Sequence, residues 1–186
     1  MTAIVRLYLP RDRAVLQAHF AALTGDDLRD RFCAATKRES VTQFLYGLGA
    51  AGVPSYGIYD GNLALAAVCQ LGLCGEELEV GLTVLAAHRR KGFATALLNR
   101  SASYARARGI KALIVHCLAG NTPMLSLARG IGMAVESASG QADGRLTLRA
   151  GTVLDFWREI SYEQHGVADT AAKYWQLCTQ MAAIRQ

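Results

Sequence analysis

Hydrophobic and polar positions divide the chain into short runs whose period changes several times. Residues 4–9 alternate apolar and polar, as in a half-buried strand, and Pro10 ends the run. Helical spacing follows: Leu16, Phe20 and Leu23 recur with Ala14, Ala18, Ala21 and Ala22. A second helix is expected behind Ser40 as N-cap, with Val41, Phe44, Leu45 and Leu48 as its apolar face. Between the two, residues 24–32 are charged and read as a solvated connection or as a short helix, the former preferred.

From Pro54 the pattern turns to β. Residues 55–59 and 63–73 flank Asp60-Gly61-Asn62, a hairpin turn, and Cys74-Gly75-Glu76 leads into a third strand at 78–85. Residues 92–108 are an amphipathic helix with Ala94, Leu97, Leu98, Ser101 and Ala105 on one face, and Gly109 stops it. Residues 111–118 are a strongly apolar strand, so strand, helix and strand form a βαβ unit with parallel neighbours. Thr122 is expected to cap the next helix, with Pro123 in its first turn and Gly132 as its stop. Residues 133–137 and 145–149 then predict a last hairpin around 140–144. The tail from 152 is mostly helical, with Phe156, Trp157, Ile160, Tyr174, Trp175 and Leu177 available for packing. The order predicts an α/β (α+β) fold: one domain over residues 1–151 and a C-terminal helical extension, 152–186, packed on it.

Length and composition narrow the classes. With 186 residues and a 52% hydrophobic fraction the chain can build one proper core. No run is long enough to span a bilayer and no signal-peptide pattern is present, so a cytoplasmic protein without membrane association is expected. The five cysteines are scattered and lack metal-ligand spacing, which favours reduced thiols and no metal site. The net charge of +5 is modest, and the bases do not form the wide stripe with interleaved aromatics that nucleic-acid binding requires.

The concentrated chemistry lies around Arg89-Arg90-Lys91-Gly92-Phe93-Ala94-Thr95, where a strand gives way to a helix. Free N–H groups and the positive end of the helix dipole make such a start an anion site. On the strand before it, Glu79, Gly81 and Thr83 share a face, and the small residues leave room for an acceptor beside a carboxylate. Glu79 reads either as a general base or as a solvated surface carboxylate. His116 on the neighbouring strand reads as a proton relay or as an ordinary satisfied histidine. Cys117 points away from His116 and reads as a small buried hydrophobe, which disfavours a covalent acyl-cysteine.

The pattern Arg89-x-x-Gly92-x-Ala94 after a strand, with Asn121 and a helix ending at Gly132-Met133, resembles the GNAT superfamily of acyl-coenzyme A-dependent N-acetyltransferases. The resemblance covers residues 55–149 firmly and the flanks loosely. Val115-His116-Cys117-Leu118, Asn121 and the long C-terminal helix look like a group of bacterial GNAT proteins whose substrates are generally unassigned. The resemblance implies a mixed, mostly antiparallel sheet of about seven strands flanked by helices. It implies that backbone N–H groups from Arg89 to Thr95 cradle the pyrophosphate of acetyl-coenzyme A and that an N–H near Val84 polarises the thioester carbonyl. Asn121 would bond the coenzyme arm, while Glu79 and His116 would handle the acceptor proton. Many relatives carry a tyrosine that protonates the departing thiolate; the matching position here is Ala128, with Ser126 a poor substitute on another helical face. The implied function is acetyl transfer to a primary amine, small molecule or protein lysine, in a ternary complex. A non-catalytic acyl-coenzyme A sensor is the alternative. Apolar residues of the tail would cover the core or a second subunit, giving a homodimer.

Overall fold

The alternating runs pair into one seven-stranded sheet in the computed structural model, which describes residues 3–7, 11–48 and 52–184. Along the chain come β1 (Val5–Leu7), α1 (Arg13–Ala21), α2 (Gly25–Phe32), α3 (Arg38–Gly47), β2 (Ser55–Tyr59), β3 (Leu65–Cys74) and β4 (Glu77–Val84). A 3-10 turn at Ala86–His88 precedes α4 (Phe93–Ala107), β5 (Ala112–Leu118), α5 (Thr122–Gly130), β6 (Ala134–Ala138), β7 (Gln141–Thr147) and α6 (Val153–Ile184). The strand order is β1-β2-β3-β4-β5-β7-β6. Among the described residues only the β4–β5 pair is parallel, as the crossover through α4 demands.

Each face of the sheet has its own core. Leu97, Leu98 and Ala105 of α4 pack with Leu78, Val80, Leu113 and Val115 on one side. Leu16, Phe20, Leu28, Val41 and Leu45 of α1–α3 pack with Val5, Leu7, Leu65 and Val68 on the other. A fully buried leucine such as Leu97 or Leu98 contributes about 1.5–3 kcal/mol.

Several local expectations need correction. Residues 24–32 hold a helix rather than a solvated connection, because Thr24 and Asp27 form a reciprocal capping box and Leu28 is buried. The helix expected behind Ser40 starts at Arg38 with Lys37 as N-cap, so Ser40 lies inside its first turn. Asn121, not Thr122, caps α5: its side chain accepts a hydrogen bond from the Met124 N–H at 3.0 Å. The last hairpin turns at Ser139-Gly140, both at positive φ (53° and 83°), and residues 141–144 belong to the strand. Two central residues of positive φ suit the right-handed twist of a hairpin. The first strand is observed at Val5–Leu7; the expected continuation to Leu9 and its stop at Pro10 lie outside the described residues.

The tail also docks differently from its apolar pattern. Phe156, Trp157, Tyr174 and Trp175 are exposed, Ile160 is partly buried, and the side chain of Leu177 lies outside the described residues. The side chains that α6 buries among the described residues are polar: Asp155, and Glu159, which forms a two-pronged ion pair with Arg100 of α4 and accepts from the Tyr56 hydroxyl at 3.4 Å. Further along, α6 crosses β1 so closely that a Cβ on Gly166 would stand 2.4 Å from the Ile4 carbonyl oxygen. No helix among the described residues is long and apolar enough to cross a membrane.

Candidate active site

The site begins with a parallel pair that stops early. β4 and β5 are in register at Glu77–Ala112, Leu78–Leu113 and Glu79–Ile114, and beyond that point they diverge. On its other side β4 stays paired with β3 up to Val84–Ala67, and the Leu85 N–H donates to Ala66 O at 2.9 Å. Antiparallel ladders alternate, so residues 85, 83 and 81 bond to β3 while the backbone groups of Leu82 and Val84 face the opening toward β5. The wedge therefore exposes a strand edge without a strand to fill it.

At the mouth of the wedge, Arg90 and Gly92 both adopt positive φ (62° and 78°) and turn the chain into α4. Gly92 is the N-cap and supplies no side-chain cap, and the first intrahelical bond is Ala96 N–H to Gly92 O at 3.0 Å. The N–H groups of Phe93, Ala94 and Thr95 are thus left to an external acceptor. A Cβ at Gly92 would meet nothing within 4 Å, so glycine is favoured there by its backbone angle, with open space above it.

The three bases of the loop separate. Arg89 Nε donates to Val84 O at 3.2 Å, and its Nη2 pairs with Asp27, the N3 residue of α2. Burial pushes the Asp27 carboxyl up, but hydrogen bonds from Thr24 and the Arg89 guanidinium outweigh it and hold the carboxyl below its usual range. Arg89 is therefore a tie between α2 and the end of β4. Arg90 and Lys91 are exposed and form no ion pair among the described residues.

One cavity of about 710 Å³ joins these parts, running from Asp27, Asp30 and Arg31 along residues 80–84 to the α4 start, Asn121 and the first turns of α5. It brings together Val84, Arg89, Arg90, Gly92, Phe93, Ala94, Thr95, His116 and Asn121; Lys91 sits in the same loop, and Glu79 stands outside the lining, exposed. The room expected over Gly81 is already filled. Arg31 lies flat on that glycine, where a Cβ would fall 1.9 Å from Nη2.

Behind β4, the buried His19 of α1 braces the same stretch. Its Nδ1–H donates to Leu65 O at 2.7 Å, which leaves Nε2 to accept from the Thr83 hydroxyl at 2.8 Å. Burial lowers its pKa, the Leu65 bond opposing only in part. The sign follows directly: the unfolded chain takes up a proton near pH 6.5 while the folded one resists it. His19 is thus expected to make stability fall as pH drops below about 6.5, and His19→Gln should flatten that slope in urea melts between pH 7.5 and 5.5.

On the far wall, His116 Nδ1–H donates to Asp143 Oδ1 at 2.7 Å, opposite it on β7. Cys117 is buried and its thiol is pushed up chiefly by burial; Cys69 rises to about 12 for the same reason, with Ser101 opposing. Neither is a ready nucleophile. Ala128 is buried under α5 facing β7, 3.4 Å from where a Cβ on Gly144 would stand, so that position does not line the cavity. Ser126 does line it, as does Thr122, so α5 brings two hydroxyl residues there. Asn121 Oδ1 is committed to its cap, leaving the amide NH₂ as the group it can offer.

The sequence reading did not single out Arg31, His19, Asp27 or Asp143 as site residues. His19 had one local signal, a polar residue inside an apolar helical stripe. Asp27 had another, its place three residues after Thr24.

Residues 25–133 match the model of the acetyltransferase (GNAT) family. Among solved structures the chain is similar to the GNAT domain of S. lividans PAT, at 21% identity over 78% of this chain and 89% of that one, TM-score 0.67. A phosphinothricin acetyltransferase from Sinorhizobium meliloti in complex with acetyl-coenzyme A aligns at 17% identity over 82% and 91%, TM-score 0.66. A putative acetyltransferase from Salmonella typhimurium with its cofactor acetyl-coenzyme A aligns at 17% over 82% and 97%, TM-score 0.61. These likenesses establish the fold. No curated protein matches the chain significantly.

Proposed function

Because the chain belongs to the acetyltransferase (GNAT) family, we propose that it transfers an acetyl group from acetyl-coenzyme A to a primary amine by direct attack in a ternary complex. The observation that carries this reading is the β4–β5 wedge opening, within one cavity, onto the uncapped N-terminus of α4. An acyl-coenzyme A suits these residues. Unbonded N–H groups of the first α4 turn, with Arg90 and Lys91 beside them, match a pyrophosphate. The free edge at Leu82 and the Asn121 amide match a chain of amides, and an acyl thioester is the chemistry such a ligand supplies.

The protein's own part is positioning and electrostatics. Holding amine and acyl carbonyl together removes much of the entropic barrier. The Val84 N–H, fixed by the Arg89 tie and the His19–Thr83 brace, is the donor we assign to the developing oxyanion. For the acceptor proton, His116, held by Asp143, lines the same cavity, whereas exposed Glu79 would act through solvent.

Coenzyme A at a hundredfold excess over its dissociation constant should stabilise the protein by about 2.7 kcal/mol. Gly92→Val places a β-branched residue at positive φ in the phosphate grip and should weaken binding at least about tenfold. Thermal melts with and without coenzyme A measure both effects; equal shifts in the two proteins would count against this grip.

A further inference from the structure

Arg31 is half-buried in the cavity wall, where it lacks the carboxylate or carbonyl partners that several other arginines have. Arg89 has Asp27, Arg100 has Glu159, Arg149 has Asp155, and Arg38 donates to the carbonyls of Phe20 and Leu23. Arg31 has only an amide oxygen: Nε and Nη2 both donate to Gln70 Oε1, at 3.4 and 3.2 Å. No carboxylate stands within ion-pair distance of it among the described residues, and Nη1 has no partner there. Its guanidinium is nonetheless carefully seated, flat on Gly81, with the Phe32 and Phe44 rings 5.0 and 5.4 Å away. Facing the guanidinium turns the Gln70 amide so that its buried Nε2 is left without a partner. Burial lowers the Arg31 pKa, with Glu79 among the groups that oppose the fall from a distance. A cation held this way in a cavity wall asks for an anion from outside the chain.

The surroundings narrow that anion. Arg31 sits over Gly81, three residues and about 10 Å of strand before Val84, on the side of the cavity away from the α4 start. The phosphates have their own site at that start. Acids gather near Arg31 as well: Asp30 lines the cavity, and Asp30, Asp143 and Glu79 all act on the neighbouring Cys33 thiol, which burial chiefly raises and Arg31 lowers. A dianionic phosphate would meet those carboxylates, whereas a carboxylate joined to an ammonium satisfies both signs. A planar carboxylate also matches the guanidinium fork.

We propose that Arg31 seats a carboxylate of the acceptor, so that the amine acetylated belongs to a zwitterionic, amino-acid-like small molecule. This rests on the acetyl-transfer reading above. It also makes Gly81 a specificity residue, since only glycine lets the guanidinium lie against β4.

The test is a rate comparison in the full chain across L-amino acids, their carboxamides and the matching amines without a carboxyl group, with thiol release from acetyl-coenzyme A as readout. Amino acids should be preferred by about 10- to 100-fold in kcat/KM, the range of a charge-assisted pair. Arg31→Gln should raise KM for the preferred amino acid by the same factor while leaving KM for its carboxamide and the coenzyme A thermal shift unchanged. Gly81→Ala, which displaces the guanidinium, should reproduce this selective loss. Equal use of carboxamides by the wild type, or equal losses on both substrate types in the variants, overturns the proposal while leaving amine acetylation intact. Thiol release with no amine at all overturns the acetyl-transfer reading and this proposal with it. The wild-type panel decides even where a variant fails to fold.

Discussion

Replacing Glu159 by glutamine is expected to lower the unfolding free energy by about 3–5 kcal/mol, the range for breaking a buried ion pair from one side. Arg100 and Glu159 side chains are 1% and 7% exposed, and each prong of the guanidinium meets one carboxylate oxygen. The neutral amide would leave Arg100 charged and uncompensated between the Tyr56 and Tyr162 rings, 4.3 and 5.1 Å from its carbon. A pair of this kind is weak evidence for net stability, so the double variant Arg100→Met with Glu159→Leu should recover most of the loss. Urea unfolding of the three proteins measures it. A loss below about 1 kcal/mol, as for a surface pair, would mean that α6 is not docked through this contact.

The second large effect concerns rate with little change in fold. Val84→Pro deletes one N–H, and that N–H lies on the side of β4 facing the wedge, outside the β3 ladder. The Val84 carbonyl that holds Arg89 is kept, and a preceding residue in a strand already has the extended conformation proline asks for. We expect kcat to fall by about 10²–10³, the value of one oxyanion donor, with the coenzyme A thermal shift preserved. Thr83→Pro, one residue earlier, removes a donor of the β3 ladder and the His19 brace together and should damage stability instead. A Val84→Pro enzyme within threefold of wild-type kcat would move the donor elsewhere, Leu82 being the next position facing the wedge.

What could be read in the sequence was what is encoded locally. Alternating or continuous apolar runs, punctuated by turn residues, gave six of the seven strands close to their observed bounds, and the βαβ order gave the parallel pair. The turn into the uncapped start of α4 was equally local, because glycine, bases and helix start are contiguous from residue 89 to 95. The short polar helix α2 was harder: it buries Leu28 as its core residue, and its capping box uses aspartate where the usual pattern has Glu or Gln. The final hairpin was misplaced because residues 140–144 offered a longer turn-like cluster than the Ser139-Gly140 pair that forms it. That slip hid the His116–Asp143 contact, since Asp143 in a loop would not face His116.

The rest of the site depends on contacts between residues far apart along the chain. Arg31 meets Gln70 across 39 positions, His19 meets Thr83 across 64, and Arg89 meets Asp27 across 62. No spacing rule on one strand or helix predicts such pairs. Glu79 shows the same limit from the other side: alternation put it correctly on the face of Gly81 and Thr83, yet only the packing of α2 decides that Arg31, not an acceptor, occupies the space beside it.

Acetyl transfer is tested most directly by mass spectrometry of the amine together with thiol release from acetyl-coenzyme A, in wild type and Val84→Pro side by side. The geometry predicts stoichiometric N-acetyl product and free thiol from the wild type, and at least about a hundredfold less from the variant at saturating ligands. Coenzyme A that stabilises both proteins while neither yields product from any amine would contradict it, and would make this wedge the binding site of a sensor.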